Sequence, residues 1–372
     1  MKNLVSEEMF KRLVQQSLFP RTTFSLPPHS ANDWELVYRQ AVSQALIGQL
    51  YPVVSELPAS CRPERSLLLH WCGMATKITR MNERINRVFT EIIQCFNAEG
   101  IRTFILKGPF VSQFYRSGSL RQPGDIDFFF VTESDYLRAC AWGKTHGSHY
   151  SRSVKHTAFE FRSVHIELHP EVEHWAYFPD RYALRNFFRN QAQHLAEYSL
   201  QMTNPVRYYS LAFQANIVYM LMHLAGHTLT SGVGLKQYVD LCCYCHSHEA
   251  LTRPEKQALT TFLSYVGLLP FAEHVAILLT DYLGLSPAQL PYLIRYEAKV
   301  SILIEDVLHG GNFGINHMRK QSSSVSTFVH KCQTARKMIV RCIAYYQLFP
   351  AQALCFPLYY LQRNACNYWQ EK

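Results

Sequence analysis

Formal charge is scarce in this sequence, and the scarcity limits the kind of protein that it encodes. Lys, Arg, Asp and Glu make up only 17% of its 372 residues, whereas hydrophobic residues make up 48% and aromatic residues 13%. A chain of this composition buries apolar surface readily, which excludes intrinsic disorder. Its length exceeds what one small core needs, so we expect two or three packed units.

The amino-terminal segment lacks the unbroken apolar stretch of a secretory signal. Glu7, Glu8, Lys11 and Arg12 interrupt it, and such charges are foreign to the core of an export signal. We therefore predict a cytoplasmic protein. The cysteines number eleven and are mostly isolated, so in a reducing compartment we expect small buried hydrophobic residues rather than disulfide partners.

One long stretch has no formal charge at all, residues 342–362, and it raises the question of a membrane span. Pro350 and Pro357 are expected to break a helix there, and Gln347 and Gln352 have no evident partner in lipid. The sequence therefore predicts no transmembrane span.

Negative charge is almost absent from the last part of the chain. From His309 onward, eight Lys or Arg residues stand against a single acid, Glu371. A basic tail can contact an anionic partner such as nucleic acid, an anionic membrane or a phosphorylated substrate, or it can be a solvated helix face. Both interpretations stay open.

Hydrophobic periodicity predicts an α+β fold, in which a small mixed sheet lies between two helical regions. We divide the chain into an N-terminal helical region (1–98), a strand-rich unit (99–178) and a larger C-terminal helical region with the basic tail (179–372). The predicted strands are 103–106, 126–131, 157–162 and 164–169. The predicted helices are 34–50, 67–96, 109–115, 134–145, 206–229, 235–245, 254–266, 271–283, 298–308 and 325–346. Residues 310–324 have the composition of a linker.

Two acids introduce the second predicted strand, in the run Gly124-Asp125-Ile126-Asp127. Side chains two residues apart at the start of a strand point to the same face, so these carboxylates repel each other. The arrangement makes sense if a divalent cation joins them, because Mg²⁺ prefers carboxylate oxygens and keeps positions open for phosphate. The alternative is an ordinary turn that precedes a strand.

A third acid follows about forty residues later. His165, Glu167 and His169 alternate with apolar residues, so they share one face of a strand. Glu167 can complete the acidic cluster from a neighbouring strand, either as a base for an acceptor hydroxyl or as a metal ligand. We expect the two histidines to be neighbours of the cluster rather than ligands.

The turn Lys107-Gly108 stands between a predicted strand and a predicted helix. Backbone amides and a lysine at such a turn can receive phosphate oxygens. Arg121 can orient a triphosphate with its fixed guanidinium group, or it can be a surface turn residue. Lys107 can equally have a structural role at the edge of the sheet.

These motifs together resemble a known family. Leu106-Lys107-Gly108, Tyr115, Arg121, the run GDIDF at 124–128 and the later Glu167 closely resemble the uncharacterised nucleotidyltransferase family of the DNA polymerase beta superfamily. His223, His227 and the run GVGLKQYVD at 232–240 are similar to the helical motif of that family. The resemblance spans about residues 30–360.

The resemblance implies a nucleotidyltransferase palm at 99–178. It implies that a nucleoside triphosphate bound with Mg²⁺ or Mn²⁺ gives its nucleoside monophosphate to an acceptor and releases pyrophosphate. The implied catalytic and metal-binding residues are Asp125, Asp127 and Glu167. The implied nucleotide-binding residues are Lys107, Gly108, Arg121, His223, His227 and Lys236. It supplies neither the base nor the acceptor, which can be a small molecule, RNA or a protein.

One motif departs from the wider superfamily. Most members carry a Gly-Ser pair on the first turn, and Lys107-Gly108 takes that place here. The literal pair Gly118-Ser119 lies too close to Asp125 for a helix to intervene. We therefore assign the phosphate turn to Lys107 and Gly108.

Other functions compete with this interpretation. A non-catalytic nucleotide-binding module that regulates a partner is one, and nucleic-acid binding through the basic tail is another. The run Cys242-Cys243-Tyr244-Cys245-His246 matches a haem attachment pattern, but without an export signal we expect an accidental match. Zinc binding there lacks a second CxxC pair, and the HxE run at 165–167 lacks the PCxxC of zinc deaminases.

Polar pairs on two consecutive predicted helices form the last pattern. His223 and His227 are four residues apart, as are Lys236 and Asp240, so each pair shares a helix face. We expect these faces to close the active site, with Lys236 near phosphate and the histidines beside nucleotide or acceptor. The alternative is a buried hydrogen-bonded network in which Asp240 orients a histidine and Lys236 pairs at the surface.

Overall fold

A seven-stranded mixed sheet positions the acidic residues. The structure is a computed structural model that describes residues 4–172, 175–191, 196–200, 206–294, 302–312 and 327–370. Its strands are β1 (Phe104–Ile105), β2 (Ile126–Phe129), β3 (Ser148–Arg152), β4 (Thr157–Phe161), β5 (Val164–His169), β6 (Ala196–Leu200) and β7 (Val206–Ser210). They lie in the order β3-β4-β5-β2-β1-β7-β6.

Strand directions are mixed, and the α+β prediction is confirmed. Strand β2 is parallel to β5 and antiparallel to β1, while β1 is parallel to β7. Strands β3 and β4, and likewise β6 and β7, form antiparallel pairs. The order of β5, β2 and β1 places three predicted site segments side by side.

The helical prediction for residues 206–229 is wrong at its start, because 206–210 is strand β7. Its five residues, VRYYS, are rich in residues that favour strands, and the helical period begins only after it. Strand β3 was not predicted either; it is mostly exposed, so no apolar alternation marks it. The sheet therefore includes strands outside residues 99–178, and the division of the chain into three units stays a prediction.

Helices surround the sheet. The helices before β4 are α1 (Leu4–Leu18), α2 (Ala31–Ser43), α3 (Ile47–Glu56), α4 (Arg65–Ala98), α5 (Pro109–Ser112) and α6 (Glu133–His146). Those after β5 are α7 (Phe178–Gln191), α8 (Phe213–Leu229), α9 (Leu235–His246), α10 (Arg253–Tyr265), α11 (Leu269–Ile277), α12 (Ile302–Gly310), α13 (Thr327–Ala344) and α14 (Pro350–Gln370).

The predicted helix 34–50 is divided in two. Helix α2 ends before Gln44, and Ala45 has a φ of 55°, a left-handed conformation that interrupts the helix. The buried Gln44 amide donates to the carbonyl oxygen of Val307 at 2.8 Å and accepts from the backbone N–H of Leu235 at 2.7 Å. The break thus connects the N-terminal helices to α9 and α12.

Helices α4 and α6 cover one face of the sheet. Phe128 of β2 stacks on Phe89 of α4, and Phe96 contacts both Phe128 and Trp142 of α6 edge-on. Because side chains alternate along a strand, Asp127 points to the opposite face. The aromatic core therefore fixes which face carries the acids.

The C-terminal region contains one more correction. Pro357 does not break a helix, since it lies inside α14, whereas the stretch 342–362 is interrupted between α13, which ends at Ala344, and α14, which begins at Pro350. Pro350 occupies the first helical position, where its missing N–H costs nothing, and Pro357 lies inside the helix. Among the helices of the described residues, none is long and apolar enough to cross a membrane.

Several predicted features lie outside the described residues. These are 313–324 of the predicted linker, 298–301 and 325–326 at the starts of two predicted helices, and three tail residues, Arg319, Lys320 and Lys372. Of the described tail residues, Arg341 forms an ion pair with Asp306 of α12, with Nη2 at 2.5 Å from Oδ2. Part of the basic charge is therefore neutralised within the protein.

The aromatic core predicts a large effect of one truncation. Phe128→Ala removes a fully buried ring between Phe89 and Phe96, which is expected to cost about 3–5 kcal/mol of unfolding free energy. Leu69→Ala is the control, because 62% of Leu69 is exposed and its loss is expected to cost less than about 0.5 kcal/mol. Urea denaturation measures both, and equal losses would contradict the packing described.

Candidate active site

Asp127 and Glu167 are direct neighbours on two parallel strands. They form a register pair between β2 and β5, so both side chains emerge on the face opposite α4 and α6. Asp127 is only 2% exposed. A carboxylate buried so deeply requires nearby cations or hydrogen bonds.

Two side chains supply that compensation. Lys107 Nζ lies 3.2 Å from Asp127 Oδ1, and His169 Nε2 lies at the same distance from that oxygen. Burial alone would raise the pKa of Asp127, but Lys107, the hydrogen bond from His169 and the nearby His223 bring it well below its usual range. Asp127 is therefore a permanent anion at neutral pH.

Glu167 also interacts with His169. Its Oε2 lies 3.2 Å from His169 Nε2, and Oε1 lies 3.5 Å from His165 Nε2. Burial, the largest single influence, raises the pKa of Glu167, but the hydrogen bond from His169 and the charges of His169 and His156 together outweigh it, so the net shift is downward. Burial lowers the pKa of His169, but hydrogen bonds to Asp127 and Glu167 raise it, and the net shift is upward.

Asp125 lies at the exposed end of this cluster. Loss of solvation and repulsion by Asp127 raise its pKa, and the charges of Lys107 and His165 only partly counter this. The three carboxylates thus concentrate more negative charge than their neighbours offset. Oxygen donors with surplus negative charge are what Mg²⁺ and Mn²⁺ bind, so these residues fit a divalent cation.

Gly108 is required by the backbone. Its φ is +68°, and a Cβ atom there would lie 2.7 Å from the carbonyl oxygen of Asp125. Only glycine tolerates both conditions. The predicted helix 109–115 is shorter than expected, since α5 ends at Ser112. One helical turn has little dipole, so any attraction for phosphate at this turn comes mainly from Lys107.

Arg121 does not face the acids of the sheet. It is 4% exposed and binds Asp240 of α9 through two hydrogen bonds, Nε to Oδ1 at 2.7 Å and Nη2 to Oδ2 at 2.9 Å. The Tyr115 hydroxyl donates to Asp240 Oδ1 at 2.5 Å, and Lys236 Nζ lies 3.4 Å from Oδ2. Arg121 is neither a surface residue nor a direct neighbour of Asp125; it joins the loop before β2 to α9.

This network is buried and hydrogen-bonded, as the alternative for α9 predicted, but it differs from that alternative in two details, and the expected closure of the active site by α8 and α9 stays a prediction. Asp240 pairs with Arg121 rather than orienting a histidine, and Lys236 is buried rather than at the surface. Burial would raise the pKa of Asp240, but Arg121 and Lys236 bring it well below its usual range. Burial and the charge of Arg121 lower the pKa of Lys236 to about 8.

The two histidines of α8 have different positions. His223 Nε2 lies 3.5 Å from Lys107 Nζ, so His223 reaches the acidic cluster through the lysine. His227 contacts the His223 ring edge-on at 4.4 Å, and its Nδ1 lies 3.3 Å from Ser231 Oγ. His227 is therefore one step further from the acids.

Most predicted site residues line one cavity of about 110 Å³. They are Lys107, Gly108, Arg121, Asp125, Asp127, His223 and Lys236, and the cavity also contacts Tyr219, Asp240 and Asn312. Glu167 and His227 do not line it. A larger cleft of about 400 Å³ lies at the carboxyl ends of β2 and β5. We assign the site to the smaller cavity because it holds the buried charged cluster.

Sequence reasoning missed one neighbour of the acids and assigned only a minor role to another. His156 precedes β4, and its Nδ1 lies 3.6 Å from Glu167 Oε2; only the pairing of β4 with β5 brings it there. His169 was expected beside the cluster and contacts both Asp127 and Glu167. Alternation along β5 indicated His169, whereas no signal in one sequence indicates His156.

The cysteine cluster of α9 does not offer thiolates. Cys242 and Cys245 are buried, and burial raises the pKa of Cys245 to about 12. His246 Nδ1 lies 3.1 Å from Gln289 Oε1. Protonated thiols in an apolar core do not support metal or haem binding.

The comparison with protein families gives one result. A family model described as an uncharacterised nucleotidyltransferase matches residues 30–283. The match includes every predicted site residue and ends before the last part of the predicted span. No curated protein and no solved structure matches the chain.

The buried ion pair predicts a large and specific loss of stability. Asp240→Asn leaves Arg121 and Lys236 without their shared anion, which is expected to cost about 3–5 kcal/mol of unfolding free energy. Lys236→Met is the control, since Asp240 keeps its two hydrogen bonds from Arg121, and we expect less than about 1 kcal/mol. Denaturant unfolding at pH 7 compares them.

The pH dependence of that stability gives a second measurement. The pKa of Asp240 is lower in the folded protein than in the unfolded chain, so its contribution is present above the unfolded pKa, about 4, and is lost as the pH falls below it. Asp240→Asn should therefore lose less stability than the wild type between pH 6 and pH 3. Parallel losses would contradict the role given to Asp240.

Proposed function

Because the chain belongs to the uncharacterised nucleotidyltransferase family, we propose that it transfers a nucleoside monophosphate from a nucleoside triphosphate to an acceptor hydroxyl. The oxygen of the acceptor forms a bond to the α-phosphorus and releases its proton to solvent, the bond from that phosphorus to the β-phosphate bridging oxygen breaks, and pyrophosphate leaves. The observation that carries the proposal is the register pair Asp127 and Glu167, with Asp125 and Lys107 beside it.

Asp125, Asp127 and Glu167 are the residues that would hold Mg²⁺ or Mn²⁺. When bound, such an ion neutralises charge on the phosphates and on the attacking and leaving oxygens. The lowered pKa of Glu167 makes it a weak proton acceptor, so a role as metal ligand is favoured over a role as general base.

Lys107 is the residue that would contact the phosphates first. Its ammonium group lies between Asp127 Oδ1 at 3.2 Å and His223 Nε2 at 3.5 Å. A neutral His223 can accept a hydrogen bond from Lys107 and so fix the direction of the long side chain. Gly108 allows this turn to lie against the backbone of Asp125, which places the lysine beside the acids.

Lys236 supports phosphate from the opposite wall of the cavity. The Arg121–Asp240 pair holds α9 against the loop before β2, and Lys236 is attached to it at 3.4 Å. Two lysines on opposite walls, together with the acidic cluster, form a site suited to positioning a triphosphate. Positioning of this kind is the main contribution of a protein to phosphoryl-type transfers.

The direct test is incubation of the protein with each α-labelled nucleoside triphosphate and Mg²⁺, with label measured in protein, RNA and small-molecule fractions. Transfer to one fraction identifies the acceptor class. Nucleotide binding without any transfer would favour the non-catalytic, regulatory alternative instead.

Asp127→Asn predicts a loss of metal-dependent nucleotide binding. Wild-type protein should melt at a higher temperature with nucleoside triphosphate and Mg²⁺ than with Mg²⁺ alone, and the variant should show no such difference. Each protein is compared with its own nucleotide-free melt, because Asp127→Asn also removes the partner of Lys107. Asp281→Asn, an exposed position outside the site, is the matched control; the same loss there would contradict the assignment.

If Lys236 contacts phosphate, its lowered pKa predicts that nucleotide affinity depends on pH. Its pKa of about 8 means that it loses its charge as the pH rises from 7 to 9, so the nucleotide dissociation constant of the wild type should increase over this range. Lys236→Met should bind more weakly at pH 7 and show a smaller increase. Calorimetric titration measures both. A variant with the wild-type affinity and pH dependence would exclude contact between Lys236 and phosphate.

A further inference from the structure

Two histidines and one glutamate converge beside the acidic pair. The ligand atoms of His156, Glu167 and His169 all lie within 4.8 Å of one another. Glu167 Oε2 lies 3.2 Å from His169 Nε2 and 3.6 Å from His156 Nδ1. The group therefore has two nitrogen donors and one oxygen donor that face the same point.

Two of these separations are close to those found around a tetrahedral metal ion. Metal–ligand bonds of about 2.0–2.1 Å place adjacent donor atoms about 3.3–3.4 Å apart at the corners of a tetrahedron. The two distances to Glu167 Oε2 bracket that value. Asp127 Oδ1 lies 3.2 Å from His169 Nε2 and is adjacent to the group without belonging to it. Because the three donor atoms lie within 4.8 Å of one another, no pair has to approach by more than about 1.5 Å to reach that spacing.

His156 supplies an independent observation. Its Nδ1 is buried and has no hydrogen-bond partner among the described residues, a costly arrangement for a ring nitrogen in a protein interior. The residue is held by a tight turn, in which Ser153 N–H donates to the His156 carbonyl and Ser153 Oγ accepts from His156 N–H. The turn thus directs Nδ1, which makes no hydrogen bond within the described part of the chain, toward Glu167 Oε2 at 3.6 Å.

The site is buried but open to an ion. The exposed fractions of the side chains are 25% for His156, 17% for Glu167 and 7% for His169. Partial exposure of His156 provides an entry path, while the low exposure of the other two gives the reduced dielectric that strengthens coordination.

We propose that His156, Glu167 and His169 bind a divalent transition-metal ion of the zinc class. Imidazole nitrogens favour zinc and its neighbours, whereas Mg²⁺ prefers oxygen donors only. Two histidines with one glutamate are a common zinc ligand set with one position open. On binding, His169 Nε2 gives up the proton that it shares with the two carboxylates, and that proton is released to solvent.

The proposed ion is distinct from the magnesium of the proposed function, and its binding requires no nucleotide. Glu167 belongs to both ligand sets, and Asp127 is adjacent to both. The transition-metal site can therefore be tested by metal binding alone, and the result does not depend on whether the chain transfers a nucleotide.

Titration of chelator-treated protein with Co²⁺, followed by displacement with Zn²⁺, tests the proposal. Tetrahedral Co²⁺ with nitrogen and oxygen ligands absorbs in the visible range, and we expect one equivalent to bind and Zn²⁺ to abolish the bands. His156→Ala should weaken binding at least about tenfold. Because its Nδ1 makes no hydrogen bond to the residues that the structure describes and only a 3.6 Å contact with Glu167, the variant should melt near the wild-type temperature without metal and lose the rise that Zn²⁺ gives the wild type.

His165→Ala is the matched control. His165 also lies beside Glu167, at 3.5 Å from Oε1, but outside the three-residue group, so this variant should bind Co²⁺ as the wild type does. Equal affinity of the wild type and His156→Ala would overturn the proposal, as would the intense near-ultraviolet bands of a cobalt–thiolate site. A nucleotide that fails to stabilise the wild type would contradict the proposed function alone.

Discussion

The buried negative charge of Asp127 is the constraint on which the rest of this site depends. At 2% exposure an isolated carboxylate would be expelled or protonated, since burial of an unpaired charge costs several kcal/mol. The compensating groups come from three separate elements: Lys107 follows β1, His169 ends β5, and His223 on α8 adds to the lowered pKa. The order of β5, β2 and β1 brings them together. The strand order of the sheet therefore determines which charged side chains surround Asp127.

A second buried ion pair extends this arrangement to the helices. Arg121, in the loop before β2, donates to Asp240 of α9 through Nε and Nη2, and Asn82 of α4 donates to the Arg121 carbonyl at 2.7 Å. One residue thus connects the long helix behind the sheet with the helix in front of it. The C-terminal helices cannot move away from the acids without exposing Arg121 or separating it from Asp240. Residues of α8 and α9 line the same cavity as Asp125 and Asp127 for this reason.

Features set by residues close together in the sequence were predicted correctly, whereas features set by residues far apart in the sequence were not. The spacing of Asp125 and Asp127 and the alternation around Glu167 are local, and they indicated the correct strands. Strand β7 was missed because VRYYS adjoins a long helical pattern that extends naturally backward over it. The partner of Arg121 was missed because Asp240 lies on α9, more than a hundred residues along the chain. His156 became a neighbour of Glu167 only through the β4–β5 register, which one sequence does not reveal.

The short turn at Lys107 and Gly108 explains why a lysine belongs at this position. A long helix after the turn would offer phosphate several free N–H groups and a dipole, but α5 has one turn only and ends at Ser112. In the proposed site, the full positive charge of Lys107 would supply the attraction for phosphate that the short helix does not. In the ligand-free arrangement that charge stabilises Asp127 at 3.2 Å. In the proposed function a triphosphate would compete with Asp127 for the lysine, and a divalent cation at the carboxylates would replace the positive charge that the lysine withdraws. Binding of nucleotide and binding of metal are expected to favour each other for this reason, because each leaves the other's partner with an unpaired charge.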